Sequence, residues 1–338
     1  MLALFGVYSA FWFIAAGRIQ EGVAAWAEAS RPQKLDAKWQ TMRVAGYPFA
    51  FRVELSDVQL HDGALNPPVD LRVPALAANT TPWNFRAWRF AAPQGLNGTL
   101  GSPDMQVAKL GAQSATGALA VPPAGNGAGE AESITIWLRL RGASAEAAAQ
   151  PADRVAAETA DLWLSWPGQP PRDRNDRNLA VAADLHSVTV PAAPAPFASK
   201  VDEIAFRVTV MGAIPAAPPR QAADSWRRAG GTVELDHFNL AWGGLRVAGA
   251  GTLALDAELQ PVGGFSGAIE GYEQLMSALV AAGRLRASDA RLARVALAML
   301  AKAGPEGRPQ IETSFTIQNG EMFLGPAKLG ALPRIDWK

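Results

Sequence analysis

The chain reads as an α+β protein that is mainly β: an N-terminal membrane helix, a large curved antiparallel sheet, and a late two-helix segment packed on that sheet. Three observations predict this. Residues 2–17 (LALFGVYSAFWFIAAG) carry no charge, and charged residues begin at Arg18. From Phe49 onward apolar residues recur at a period of two in several separate runs, the spacing of a half-buried strand. Over 269–303 the period changes to three and four, the spacing of amphipathic helices.

The first element is expected to be a membrane anchor over residues 1–29. A full span needs about 20 apolar residues, and the uncharged run supplies sixteen. Ile19, Val23, Ala24, Trp26 and Ala27 continue one apolar helical face to about Ala29. Trp12 and Trp26 suit interfacial positions, and Arg18 can snorkel to the headgroups. A cleaved signal peptide is the alternative, because Ala15-Ala16-Gly17 loosely resembles a cleavage site. The favoured reading is a single-pass inner-membrane protein with residues 30–338 as one periplasmic β-rich domain. No Lys or Arg precedes the run, so the charge rule does not set its orientation.

Composition narrows the possible functions. There are no cysteines, which excludes a disulfide framework and a thiolate metal site. Lys+Arg 31 and Asp+Glu 31 cancel without a basic run, so nucleic acid has no electrostatic footprint here. At 18% charged and 49% hydrophobic the chain is globular in character.

Strands organise the rest. Phe49, Phe51, Val53 and Leu55 alternate with polar or small residues, and the apolar parity then switches to Val58 and Leu60. Such a switch implies a β-bulge or a strand crossing between layers. The same figure returns at Ala183–Val190 and Val233–Leu240, placing Leu55, Leu185 and Leu235 in equivalent, buried positions. Further strands are expected at 71–77, 134–140 and 245–255. Ile311, Thr313, Phe315 and Ile317 lead into Asn319-Gly320, a strong hairpin signal, with Met322 and Leu324 beyond. Ala/Gly/Pro-rich loops are expected at 111–131, 142–152, 167–178 and 214–224.

The late helical pair is placed at 269–282 and 289–303. Ile269, Tyr272, Leu275, Met276, Leu279 and Val280 share a face that ends at Gly283. Ser288 can cap the second helix, whose Leu292, Val295, Ala296, Met299 and Leu300 repeat at three and four, and Gly304-Pro305 stops it.

Catalytic constellations are not found. His61, His186 and His237 are dispersed, and no nucleophile-elbow, metalloprotease or phosphate-loop motif occurs. Gly249-Ala-Gly-Thr-Leu-Ala254 matches a dinucleotide fingerprint, but TLALDAEL continues as a strand where that fingerprint needs a helix. No catalytic residue, metal ligand or cofactor is therefore assigned. Trp83, Trp88, Trp163, Trp166, Trp226 and Trp242 lie in or beside strands and are read first as core.

Gly46-Tyr-Pro-Phe-Ala-Phe51 running into VELSDVQL, Pro82-Trp-Asn-Phe85, Ala241–Asp256, Gln260-Pro261, and Leu324-Gly-Pro326 to Leu332-Pro333 together resemble domain-of-unknown-function family 2125, uncharacterised envelope proteins. More loosely, L-x-x-[VF]-x-L strands behind one anchor are similar to AsmA-type proteins. That likeness implies a β-rich groove used in lipid transport or envelope assembly. The expected role is thus non-enzymatic: holding or handing on lipid or another apolar ligand, or assisting outer-membrane assembly. A scaffold or partner-binding envelope protein with a filled core is the alternative. The groove is expected between sheet and helices, with Phe206, Val208, Val247, Leu253 and Leu255 as its lining. The partners expected are the membrane, through residues 1–29, and lipid or envelope proteins.

Overall fold

In a computed structural model of the protein, residues 2–102, 104–122, 133–191, 197–283, 285–304, 307–325 and 327–337 are described. Strands dominate and every described pairing is antiparallel. By internal contacts the chain divides into two compact units, Met1–Pro123 with Thr135–Asp161, and Ala124–Ile134 with Leu162–Lys338.

The first unit opens with helix α1 (Leu2–Ser30), which runs well past the uncharged stretch. Pro32 cannot continue it, and a short 3-10 turn closes on Lys34 in the left-handed region at φ 65°. One stripe of α1, carrying Trp12, Ala15, Ala16 and Ile19, packs on Phe51 and Val44. Trp12 stacks on Phe51 with ring centroids 5.0 Å apart, and Phe51 is 0% exposed. Phe5, Val7, Phe11, Phe13 and Ile14 are exposed. Among the described residues no helix is long and apolar enough to cross a membrane.

Strands β1 (Leu35–Lys38) and β2 (Thr41–Ala45) lie end to end along one edge of β3 (Phe51–Asp62). On its other edge is β4 (Val69–Thr81). The two ends of β4 then take different partners: β5 (Asn84–Ala92) beside Ala77–Thr81, and β6 (Leu96–Ser102) beside Val69–Arg72. From β5 the sheet passes to β8 (Ser114–Ala120), and from β6 to β7 (Met105–Ala112). Both reach β9 (Ser133–Ala147), which continues into β10 (Gln150–Pro167). The core is Val73, Ala92 and Ala115, with Val58, Leu71, Leu76, Leu96, Leu138 and Leu140 packed around it.

The repeated parity switch has a structural cause. Asp57 adopts φ 49°, and Leu55↔Leu76 and Val58↔Val73 pair without a register shift, so both strands change face together. Pro74, opposite Asp57, has no N–H to give to the ladder there. Ser187 does the same at φ 53°, between Leu185↔Ile204 and Val188↔Val201. The third copy uses a β-bulge instead, where Asp236 is the extra residue between Leu235↔Val208 and His237↔Arg207. Leu55, Leu185 and Leu235 are half-buried rather than buried.

The second unit is an antiparallel succession of β11 (Arg177–Thr189), β12 (Lys200–Met211), β13 (Thr232–Trp242), β14 (Leu245–Leu255) and β15 (Pro261–Glu270). Strand β16 (Ala301–Ala303) and β15 both pair with β17 (Pro309–Gln318), which leads through β18 (Glu321–Leu324) to β19 (Ala327–Ala331). Asn319 and Gly320, at φ 54° and 71°, form the expected hairpin turn. Helix α2 (Pro219–Arg228) joins β12 to β13, α3 (Tyr272–Ala281) follows β15, and α4 (Ala287–Leu300) precedes β16.

Several expectations need correction. Segment 111–131 contains the end of β7 and all of β8, with 123–131 outside the described residues, and 142–152 contains the end of β9 and the start of β10; their small Ala and Gly residues carry no apolar alternation by which the strands could be read. Residues 214–224 hold the first part of α2, where only Ala222, Ala223 and Trp226 are buried, too few apolar positions to show a period. Ile269 belongs to β15 rather than to a helix, paired with Val247 and Ile311. Ser288 lies inside α4, whose cap position is Arg286, and residues 301–303 are a strand. Val295 and Met299 face outward, 60% and 78% exposed, and so do not cover the sheet, while the side chains of Leu292, Ala296 and Leu300 lie outside the described residues.

Candidate functional site

Alternation along β12 puts Ile204, Phe206, Val208 and Val210 on one face, and Arg207 and Thr209 on the other. Cross-strand registers extend the apolar face across the unit. Leu179, Val210, Val233, Leu253, Gly263, Ile317 and Met322 form one row. Val181, Val208, Leu235, Gly251, Phe265, Phe315 and Leu324 form the next but one on that face. A further row runs Leu185, Ile204, Leu240, Val247, Ile269 and Ile311. The bulge at Asp236 keeps these rows in phase, since without it Leu235 and Phe238 would fall on opposite faces.

All five residues assigned to the groove lie on this face: Phe206 and Val208 on β12, and Val247, Leu253 and Leu255 on β14. Each is half-buried. In these rows Ile311 and Ile317 reach full burial, while the other aliphatic and aromatic members remain partly open. Of the late helices, α3 touches β14 and α4 touches β17, with Tyr272 and Ala290 as the buried side chains among those described. Among the described residues the two clusters of buried hydrophobic side chains both belong to the first unit. Leaving aliphatic surface in water costs about 25 cal/mol per Å², so a long strip of this kind suits an apolar occupant.

Sequence reasoning found the strands of this face but not its continuity, which depends on registers between residues far apart in the chain. Gly251 and Gly263 also sit in these rows, and Phe265 lies over Gly251, where an added Cβ would meet its Cδ1 at 2.4 Å.

The opposite face is polar. Thr209, Glu234 and Asp236 open there onto a cleft of about 620 Å³, whose other wall is the loop 167–177. Thr209 Oγ1 donates to Asp236 Oδ2 at 2.8 Å, and Asp176 accepts the backbone N–H groups of Arg172 and Asp173. Asp176 thus braces the loop from within, while Asp236 ties β13 to β12. The histidines are separate from one another. His61 Nδ1 lies 2.7 Å from Asp70 Oδ1 across the β3–β4 pair, not on the neighbouring Asp62, and His186 Nε2 lies 3.1 Å from Asp184.

No curated protein and no solved structure matches the chain. The family of uncharacterized proteins conserved in bacteria, DUF2125, matches residues 12–333. That span takes in the stacked Trp12 of α1, both strand units and the apolar face, and the chain belongs to the DUF2125 family.

Proposed function

We propose that the protein is a membrane-attached, periplasm-facing envelope protein that holds or hands on a lipid or another long apolar ligand along the apolar face of β11–β18, without catalysing a reaction. The observation that carries this reading is the half-buried state of that face across so many strands. In the first unit half-buried residues such as Leu71 and Leu138 close around the buried Val73, Ala92 and Ala115, a clustered centre for which this face has no counterpart among the described residues. Membrane attachment is supported by the uncharged residues 2–17 at the head of α1 and by the apolar side chains α1 turns outward.

The test is lipid extraction and native mass spectrometry of the full chain purified in mild detergent. Leu253→Arg puts a charge in the middle of a row and should remove co-purifying lipid. Glu258→Arg, on the exposed turn after β14, should retain it. Equal lipid content in the two variants would sink the groove and leave the scaffold reading, which the packed core of the first unit favours.

A further inference from the structure

The segment Gly46–Phe51 meets α1 at one end of the first unit, and Pro82–Phe85 meets that segment through Phe85. Tyr47 makes an edge contact with Phe5 at 6.4 Å and stacks on Phe13 at 5.6 Å, while Phe51 touches Phe85 at 5.4 Å. Thr80 pairs with Phe51, which brings the β4–β5 turn alongside the β2–β3 loop. The outermost residues there are large and apolar: Phe49 is 72% exposed and Trp83 is 71% exposed. Large apolar side chains left exposed on two neighbouring loops suit an interaction site.

Several of its polar groups bond within the unit. Tyr8 Oη donates to Pro48 O, Trp12 Nε1 donates to Ala50 O at 3.1 Å, and Ala50 N donates to Gly46 O. Ser9 Oγ and Tyr47 Oη bond each other at 2.7 Å. In the turn, Thr80 Oγ1 reaches Asn84 O and Ala87 O, and Trp88 Nε1 reaches Phe85 O. A loop that needs few hydrogen bonds from water yet presents Phe and Trp suits hydrocarbon or the interface beside it. Depth agrees, because the loop bonds α1 at Tyr8, Ser9 and Trp12, in the middle of its uncharged stretch.

Charge chooses the occupant. Segments 1–18, 44–53 and 79–92 contain Arg18, Arg52, Arg86 and Arg89 and no Asp or Glu. Arg18 pairs with Glu21, but Arg52, Arg86 and Arg89 are exposed, and Arg52 bonds only the neutral Asn79 among the described contacts. Arg52 and Arg89 flank Asn79 in one cross-strand row, a residue behind the tip. Apolar residues in front of an all-positive collar complement an anionic lipid surface.

We propose that this end is a membrane-docking tip: loop 46–50 and turn 81–85 enter an anionic bilayer alongside α1, so the first unit is held against the membrane rather than tethered by the helix alone. The proposal goes beyond the lipid-holding reading and shares only its membrane placement. The absence of cysteine makes the test direct. Phe49→Cys, Trp83→Cys and, as a reference, Glu258→Cys are labelled singly with an environment-sensitive fluorophore in the full chain. Each is reconstituted into vesicles of phosphatidylglycerol with phosphatidylethanolamine, or of phosphatidylcholine alone, with doxyl lipids as quenchers.

Labels at 49 and 83 should shift to the blue and be quenched by doxyl lipid, while the label at 258 stays in water. In the anionic vesicles, Arg86→Gln with Arg89→Gln should lower the inserted-to-withdrawn ratio about fivefold per arginine removed. Labels at 49 and 83 as water-exposed as the one at 258 would overturn the proposal. So would a blue shift that doxyl lipid does not quench and dilution abolishes, which would mean a second copy of the chain covers the tip. Lipid co-purification on the second unit is a separate readout and can fail independently.

Discussion

Docking of α1 on the first unit can be tested through Trp12. This side chain is 3% exposed, stacks on the fully buried Phe51 at an interplanar angle of 13°, and its indole N–H is the donor to Ala50 O. Trp12→Ala removes a large buried aromatic, which costs about 3–5 kcal/mol in a packed site. Of this, about 0.5–1.5 kcal/mol belongs to the aromatic pair and about 1–3 kcal/mol to leaving Ala50 O unpaired. Phe51→Ala should cost a similar amount, again about 3–5 kcal/mol. Because both variants lose the same stack, the double variant should be less destabilised than the sum, by about 0.5–1.5 kcal/mol. The assay is urea unfolding of the full chain in detergent micelles, followed by far-UV circular dichroism. With a slope near 3 kcal/mol per molar urea, each single variant should lower the midpoint of the first unit's transition by about 1 M or more. A shift below about 0.2 M for Trp12→Ala, with additive double-variant energies, would refute docking: a free helix cannot couple to a strand residue.

Two further outcomes follow from close contacts and charge. An added Cβ at Gly117 would lie 2.4 Å from Trp137 O and 2.3 Å from the Phe90 ring, so Gly117→Ala must displace backbone between β8 and β9; thermal melts should show a loss of about 1–3 kcal/mol, and an unchanged melt would contradict the β5–β8–β9 packing. Hydrogen bonds from Arg228 and then Arg227 hold the Asp224 carboxyl below its ordinary value of 3.8. The folded state therefore favours the ionised form, and this contribution to α2 is present above the ordinary carboxylate pKa and lost as pH falls through the folded value. Protection factors of α2 amides, taken relative to the intrinsic exchange rate at each pH, should fall below about pH 4, and Asp224→Asn should remove that acid-dependent component. Equal pH dependence in the two proteins would show that the pair does not act.

What the sequence alone determined is local. Alternation marked the strands that became β3, β4, β9 and β14, because a two-residue period depends only on which face meets water. Asn319-Gly320 announced its hairpin through backbone conformations that few other pairs accept. The parity switches at Asp57, Ser187 and Asp236 were visible as a run of polar residues out of phase, and each is a real break in the strand alternation. Local reading failed where composition carried no period: the Ala/Gly stretches that form β8 and the end of β9, and α2, whose burial rests on one turn around Trp226. It also failed at Ile269 and Met299, since a three-to-four spacing does not say whether a residue ends a strand or points outward. Only the tertiary structure decided that Phe206, Val247 and Leu253 join one continuous face. It alone showed, too, that α1 rests on Phe51 and that Phe51 lies against Thr80 and Phe85 at the β4–β5 turn. Those facts follow from registers and packing between residues 30 to 100 apart, where the energy of a contact depends on partners that no local pattern names.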